Sequence, residues 1–203
     1  MTRAALTFAA AIGAAAAIAS PAHAGVLTKS ATGCADPVLS QPFKPWLDSS
    51  FYKPVENGDF EAGDAGWTLT GGAEVVGGNA SQHVGGAADS HSLLLPAGSS
   101  ATSPPVCVGL NEPTLRYFAR RNSGLLSTLL VQVQVQLELG VWVTLPVGVD
   151  LGGSWHPSLP SLVVANLLPL LPPDMTAVRF KFSPLLGGAW QIDDAYVDPR
   201  MSH

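Results

Sequence analysis

Between residues 131 and 138, apolar and polar positions alternate without a break: Val131, Val133, Val135 and Leu137 interleave with Gln132, Gln134, Gln136 and Glu138. A period of two marks a strand with one buried and one wet face. Gly140 ends the run, and Val141-Trp142-Val143-Thr144-Leu145 predicts the returning arm of a hairpin. Val178-Arg179-Phe180-Lys181-Phe182 alternates in the same way. Shorter apolar runs at 67–70, 73–76, 92–95 and 115–120 each stop at Gly, Pro or Asn-Ser-Gly turn residues. Residues 103–108 predict an edge segment, because Pro104 and Pro105 cannot donate to a ladder. Residues 192–197 predict a closing strand. The pattern amounts to about eight to ten short strands, an all-β, two-sheet antiparallel β-sandwich in one domain.

Composition changes the picture at the N-terminus. Arg3, an apolar and Ala-rich stretch, and Ala22-His23-Ala24 have the layout of a secretory signal peptide over residues 1–24, which predicts a secreted, extracellular protein. Residues 25–54 show little periodicity and predict an extended N-terminal segment, with Phe43, Trp46 and Phe51 packing on the domain edge. The sandwich is then expected over 55–200. The apolar run at 162–171 is about half the length of a membrane helix and contains Pro169, so it predicts a core strand and loop.

The net charge is −5, and loss of Arg3 with the leader makes it −6. Nucleic acid and anionic membrane surfaces are poor partners for such a chain. Its two cysteines, Cys34 and Cys107, predict one disulfide in an oxidising compartment, tying the N-terminal segment to the domain; the rival is two buried free thiols.

Two terminal motifs carry the most specific signal. Asn57-Gly58-Asp59-Phe60-Glu61 is followed by Trp67, and the chain nears its end on Trp190-Gln191-Ile192-Asp193-Asp194-Ala195-Tyr196-Val197-Asp198. Together they resemble the first and last strands of the galactose-binding-like jelly rolls, the fold of many carbohydrate-binding modules. The resemblance implies adjacent terminal strands, core positions for Trp67 and Trp190, and a structural Ca²⁺. Carried over, Glu61 and Asp194 are the leading side-chain ligands, with Asp59 and Asp193 next. Hard oxygen donors clustered in this way suit calcium; the other reading is solvated turn residues. Strict strand alternation would aim Asp194 to the same side as Ile192, so the ligand assignment requires the strand to bend.

For a polysaccharide or glycan partner, the candidate binding residues are Trp142, Trp155 and Tyr117 as stacking rings, with Gln132, Gln134 and Gln136 as a polar floor. A solvated sheet face explains the glutamines equally well. Trp155 lies in a Gly-rich loop, either as a ligand contact or as a lid over the core. Arg116, Arg120 and Arg121 suit a carboxylate or surface ion pairs. No nucleophile elbow, zinc-protease motif or phosphate loop is present, and Asp89-Ser90-His91 is too contiguous for a triad on extended chain. The reading is a secreted, non-catalytic carbohydrate-binding jelly-roll module. The alternative is a structural or adhesive exported protein that uses the sandwich for protein contacts.

Overall fold

The computed structural model describes residues 31, 34, 38–109, 114–137, 140–163 and 175–198. The expected leader at 1–24 and most of the apolar run at 162–171 lie outside the described residues. Thirteen strands are found among those described, with one 3₁₀ turn at Lys44–Trp46. The strands are β1 (Lys53–Pro54), β2 (Thr68–Thr70), β3 (Glu74–Gly77), β4 (His91–Leu95), β5 (Ser100–Thr102), β6 (Val106–Val108) and β7 (Thr114–Arg121). They continue with β8 (Thr128–Gln136), β9 (Trp142–Asp150), β10 (His156–Pro157), β11 (Ser161–Leu162), β12 (Thr176–Leu185) and β13 (Trp190–Asp198).

They form two antiparallel sheets. One has six strands in the order β2-β5-β12-β8-β9, with β6 also on β12. The other has seven, in the order β10-β7-β13-β4-β3, with β1 on β13 and β11 on β7. This is the two-sheet antiparallel sandwich that the alternation predicts, in the jelly-roll form that the resemblance of the terminal motifs implies. Val131, Val133 and Val135 of β8 and Val178, Phe180 and Phe182 of β12 are buried against Leu93, Tyr117, Trp190 and Ile192 of the facing sheet. Pro146 sits on the edge strand β9, beside a register shift at Val131/Gln132.

The terminal motifs build this core. Asn57 takes a left-handed backbone (φ 49), which Asn tolerates better than most residues. Its side-chain amide donates to the carbonyls of Gly63 and Ala65 and accepts from the Ala62 amide, fixing the turn. Phe60 and Trp67 enter the core with ring centroids 4.9 Å apart. The Trp67 indole N–H donates to the Asn57 carbonyl, and that of Trp190 to Ser127 Oγ. β1 pairs with β13 (Lys53↔Val197), so first and last strands are neighbours as expected.

The N-terminal segment lies across the outer face of the seven-stranded sheet rather than along its edge. Phe43 stacks on Phe118 at 5.4 Å and joins Tyr52, Ala80 and Tyr196 in a second apolar cluster. The Arg116 guanidinium covers the Phe43 ring at 3.9 Å and bonds Asp48 and the Ser158 carbonyl. Phe51, expected to pack here, is largely exposed. Cys34 and Cys107 are joined, S–S 2.07 Å and Cα–Cα 5.9 Å, linking this segment to β6 of the opposite sheet.

Candidate functional site

The six-stranded sheet turns an open, polar face to solvent. Register sets it out in rows. Thr68, Thr102, Lys181, Gln132 and Pro146 are successive cross-strand partners, and Arg179, Gln134 and Thr144 form the next row. Gln136 pairs with Trp142. Gln134 Nε2 lies 3.5 Å from Thr144 Oγ1. The Trp142 ring is 37% exposed, and the Arg179 guanidinium rests 4.5 Å from its centroid. Gln132, Gln134, Gln136 and Trp142 are therefore brought together on one surface.

The other two expected ring platforms are elsewhere. Tyr117 is 2% exposed and meets Phe182 edge-on at 5.2 Å, between the sheets. It is a core residue, its edge forming the floor of a cleft of about 420 Å³ beside Asp150 and His156 rather than an exposed platform. Trp155 packs on the opposite outer face, against the Phe43 and Phe118 cluster, with the Arg120 guanidinium 5.1 Å from its ring. There it serves as a lid on that cluster. Of the three arginines, Arg116 is held by Asp48, Arg120 by Gln191, and Arg121 by the Ser127 and Leu151 carbonyls.

The acidic residues gather on the seven-stranded side. In β13 the register shifts between Asp193 and Tyr196, and Asp194 adopts φ 50. This bulge is the bend that strict alternation lacked. It turns Asp194 out of line with Ile192 and into a cleft of about 190 Å³ lined by Asn57, Asp59, Gly85 and Tyr196. Asp194 is 2% exposed, and neither carboxylate oxygen has a hydrogen-bond partner among the described residues. Asp89 Oδ2 is also buried and unpartnered. A Cβ on Gly85 would collide with Asp89 Oδ2 and lie 3.0 Å from Asp194 Oδ1, so both carboxylates converge over this glycine. Burial, then the charges of Asp89, Asp59 and Glu61, push the Asp194 carboxyl up to about 7.

Glu61 and Asp193 are engaged differently. Glu61 Oε1 accepts the Ser90 and His91 amides at 2.6 and 2.7 Å, and Oε2 accepts Ser90 Oγ and pairs with His91 Nδ1. Burial is the largest single influence and raises this carboxyl, but the bonds from His91 and Ser90 together outweigh it, holding it at about 2. Asp193 accepts the Ala80 and Asp194 amides, which anchors the 79–80 segment. Burial, then the Asp194 charge, lifts it to about 8. Both residues act as clamps on backbone. Asp89 is the member that sequence reading missed, and its Gly-rich loop offered no spacing signal. Side chains alone make no cage: no three carboxylate, imidazole or thiolate groups among the described residues surround one point.

Histidine geometry argues against a catalytic relay. Ser90 Oγ and Glu61 Oε2 both lie 3.0–3.2 Å from partners at the same corner, sharing His91 Nδ1, whereas a triad uses the two ring nitrogens separately. At the other end of the sheet His156 Nε2 meets buried Asp150 at 3.0 Å, and Nδ1 meets the Ser154 carbonyl at 2.8 Å. Both nitrogens are taken. The bond to Asp150 raises the His156 pKa above its ordinary 6.5, burial opposing and the Ser154 carbonyl assisting. A raised folded-state pKa contributes stability that is complete below 6.5 and lost as pH rises through the folded value. Melting temperature is therefore expected to fall across that window, and His156→Gln to remove this component. An unchanged pH profile in His156→Gln would refute the assignment.

No protein-family model matches this chain, and no curated protein matches it. Solved structures do. The Clostridium thermocellum endo-1,4-β-xylanase CBM22-1–GH10 modules, solved with xylohexaose, align with a TM-score of 0.51 at 14% identity, over 70% of this chain and 28% of that one. The chain has the jelly-roll fold of these modules. A xylan-binding domain of carbohydrate-binding module family 22 aligns at TM-score 0.46 and 18% identity, over 77% of this chain and 99% of that one. A family 61 module solved with β-1,4-galactotriose aligns at TM-score 0.42 and 17% identity, over 71% of this chain and 97% of that one.

Proposed function

We propose that this chain is a secreted, non-catalytic glycan-binding module that presents the outer face of its six-stranded sheet to a polysaccharide. The observation that carries the reading is the register of that face. Gln132, Gln134 and Gln136 supply paired donors and acceptors along one strand, Thr144 lies beside them, and Trp142 stands at the end of the array. A sugar chain offers hydroxyls along its edges and apolar ring faces, and this array matches both. The xylohexaose-bound fold neighbour supports the class of ligand.

A structural Ca²⁺ fits the acidic cleft. Asp194 and Asp89 would hold it through their unpartnered oxygens, with Asp59 at the cleft wall and backbone carbonyls completing the shell. The ion would cancel repulsion among buried carboxylates and pin β13 to the loops around it. Its part is structural.

Affinity electrophoresis or calorimetry against xylan, galactan and related polymers tests the sheet face. Trp142→Ala or Gln134→Ala is expected to weaken binding about tenfold, the scale of one lost well-placed contact. Trp155→Ala, on the opposite face, is expected to leave affinity unchanged. Binding indifferent to Trp142 and Gln134 would remove the proposed surface.

A further inference from the structure

Charge is divided unequally between the two sheets. Asp59, Glu61, Asp89, Asp193 and Asp194 all belong to the seven-stranded side, around the bulge of β13. On the strands of the six-stranded sheet Asp150 is the one acidic residue among those described; it is buried and bonded to His156. That sheet's outer face carries two cations, Arg179 and Lys181, on its central strand β12. No carboxylate among the described residues pairs with either.

Their placement is specific. Residues two apart on a strand share a face and stand roughly 7 Å apart. Arg179 and Lys181 thus project side by side, each flanked by a glutamine of β8: Gln134 beside Arg179, Gln132 beside Lys181. The guanidinium is not free to wander, because the Trp142 ring holds it at 4.5 Å. A planar guanidinium held in place is suited to grip a carboxylate with two parallel bonds, and the ammonium adds a second point charge. With no carboxylate partner among the described residues, both cations are available to an anionic ligand at the middle of this face.

We infer that this face selects an acidic polysaccharide, a chain of pyranoses bearing carboxylates. Arg179 and Lys181 hold successive carboxylates while Gln132, Gln134 and Thr144 bond the neutral hydroxyls. The inference rests on the glycan-binding reading and narrows it. The Trp142 ring then has a second task, holding Arg179 against one face while its exposed part stays open to a sugar.

The test is calorimetry of the mature chain with oligogalacturonate, alginate and glucuronoxylan oligomers, against fully methyl-esterified oligogalacturonate and xylohexaose. At low salt at least one acidic oligomer is expected to bind about tenfold or more tighter than the neutral ones, the scale of a charge-assisted bond. The advantage should vanish near 1 M salt, where the screening length is about 3 Å. Arg179→Gln with Lys181→Gln is expected to remove it, so that acidic and neutral oligomers bind alike. Arg179→Lys, which keeps the charge and loses the fork, should lose part of it. Circular dichroism and melting of each variant confirm that the fold is intact. Neutral and acidic oligomers bound equally, or both weakened alike by the double variant, would overturn this inference and leave the sheet face standing. No binding to any oligomer would overturn both.

Discussion

Adding millimolar calcium to metal-stripped protein is expected to raise its melting temperature by about 5–10 °C. An ion that binds only the folded chain stabilises it by about 2.7 kcal/mol at a hundredfold excess over Kd, and in a domain of this size each kcal/mol moves Tm by about 2–4 °C. The source of the effect is local. Asp194 is buried with both oxygens unpartnered, and Asp89 faces it across Gly85. Without a cation these groups cost the fold desolvation and mutual repulsion. Asp194→Asn keeps the shape, removes one charge, and is expected to abolish the calcium response. In excess EDTA the variant should melt at or above the temperature of the unmodified chain, because the repulsion has been relieved. A calcium shift that survives Asp194→Asn would place the ion elsewhere. No shift with calcium, magnesium or manganese would mean that the cleft holds no divalent ion.

Replacing Cys34 and Cys107 together by Ser is expected to lower stability by about 4 kcal/mol on the loop-entropy model. The bridge closes a sequence separation of 73 residues, so the unfolded chain regains much freedom when it is lost. Trp67, Phe60 and Trp190 pack independently of it, so the sandwich should still form. What loosens first is the segment held by Phe43, Tyr52 and the Arg116–Asp48 pair. Limited proteolysis is expected to cut the Ser variant between residues 38 and 50 while sparing the oxidised chain. Equal resistance in both would show that the aromatic packing alone holds the segment.

The difference between what the sequence revealed and what it hid follows from burial on each face. β8 was legible because one side is wet: valines go in, and glutamines go out to a half-exposed face. β7 was not legible. The N-terminal segment roofs its outer face, so residues 114–119 are buried on both sides and the alternation disappears. That is why Tyr117, which points inward, could be taken for a surface ring, while Phe118, its neighbour, packs under the roof. The terminal pairing was visible in the motifs. The direction of Asp194 was not, because it depends on one left-handed residue at a bulge. Asp89 joins Asp194 from more than a hundred positions away, through a loop with no pattern of its own. Arg179 and Lys181 could be placed on an exposed strand face, but their glutamine neighbours emerge only from the register between β12 and β8.

The bridge between Cys34 and Cys107 also decides how the molecule bears a load. Tension arriving along the chain from the N-terminal side reaches the bridge before it reaches any of the described strands. It passes directly to β6, and through the ladder between β6 and β12 into the sheet that carries Arg179 and Lys181. The 73-residue separation between the cysteines stays slack, and with it the acidic turn at Asn57–Glu61, the Gly85 loop and β1 to β5. Reduction would reroute the force through β1 and β13, the strand pair that carries the carboxylate bulge. The oxidised thiols thus act as a mechanical bypass, shielding the acidic cleft from a pull that the polar sheet would otherwise share with it.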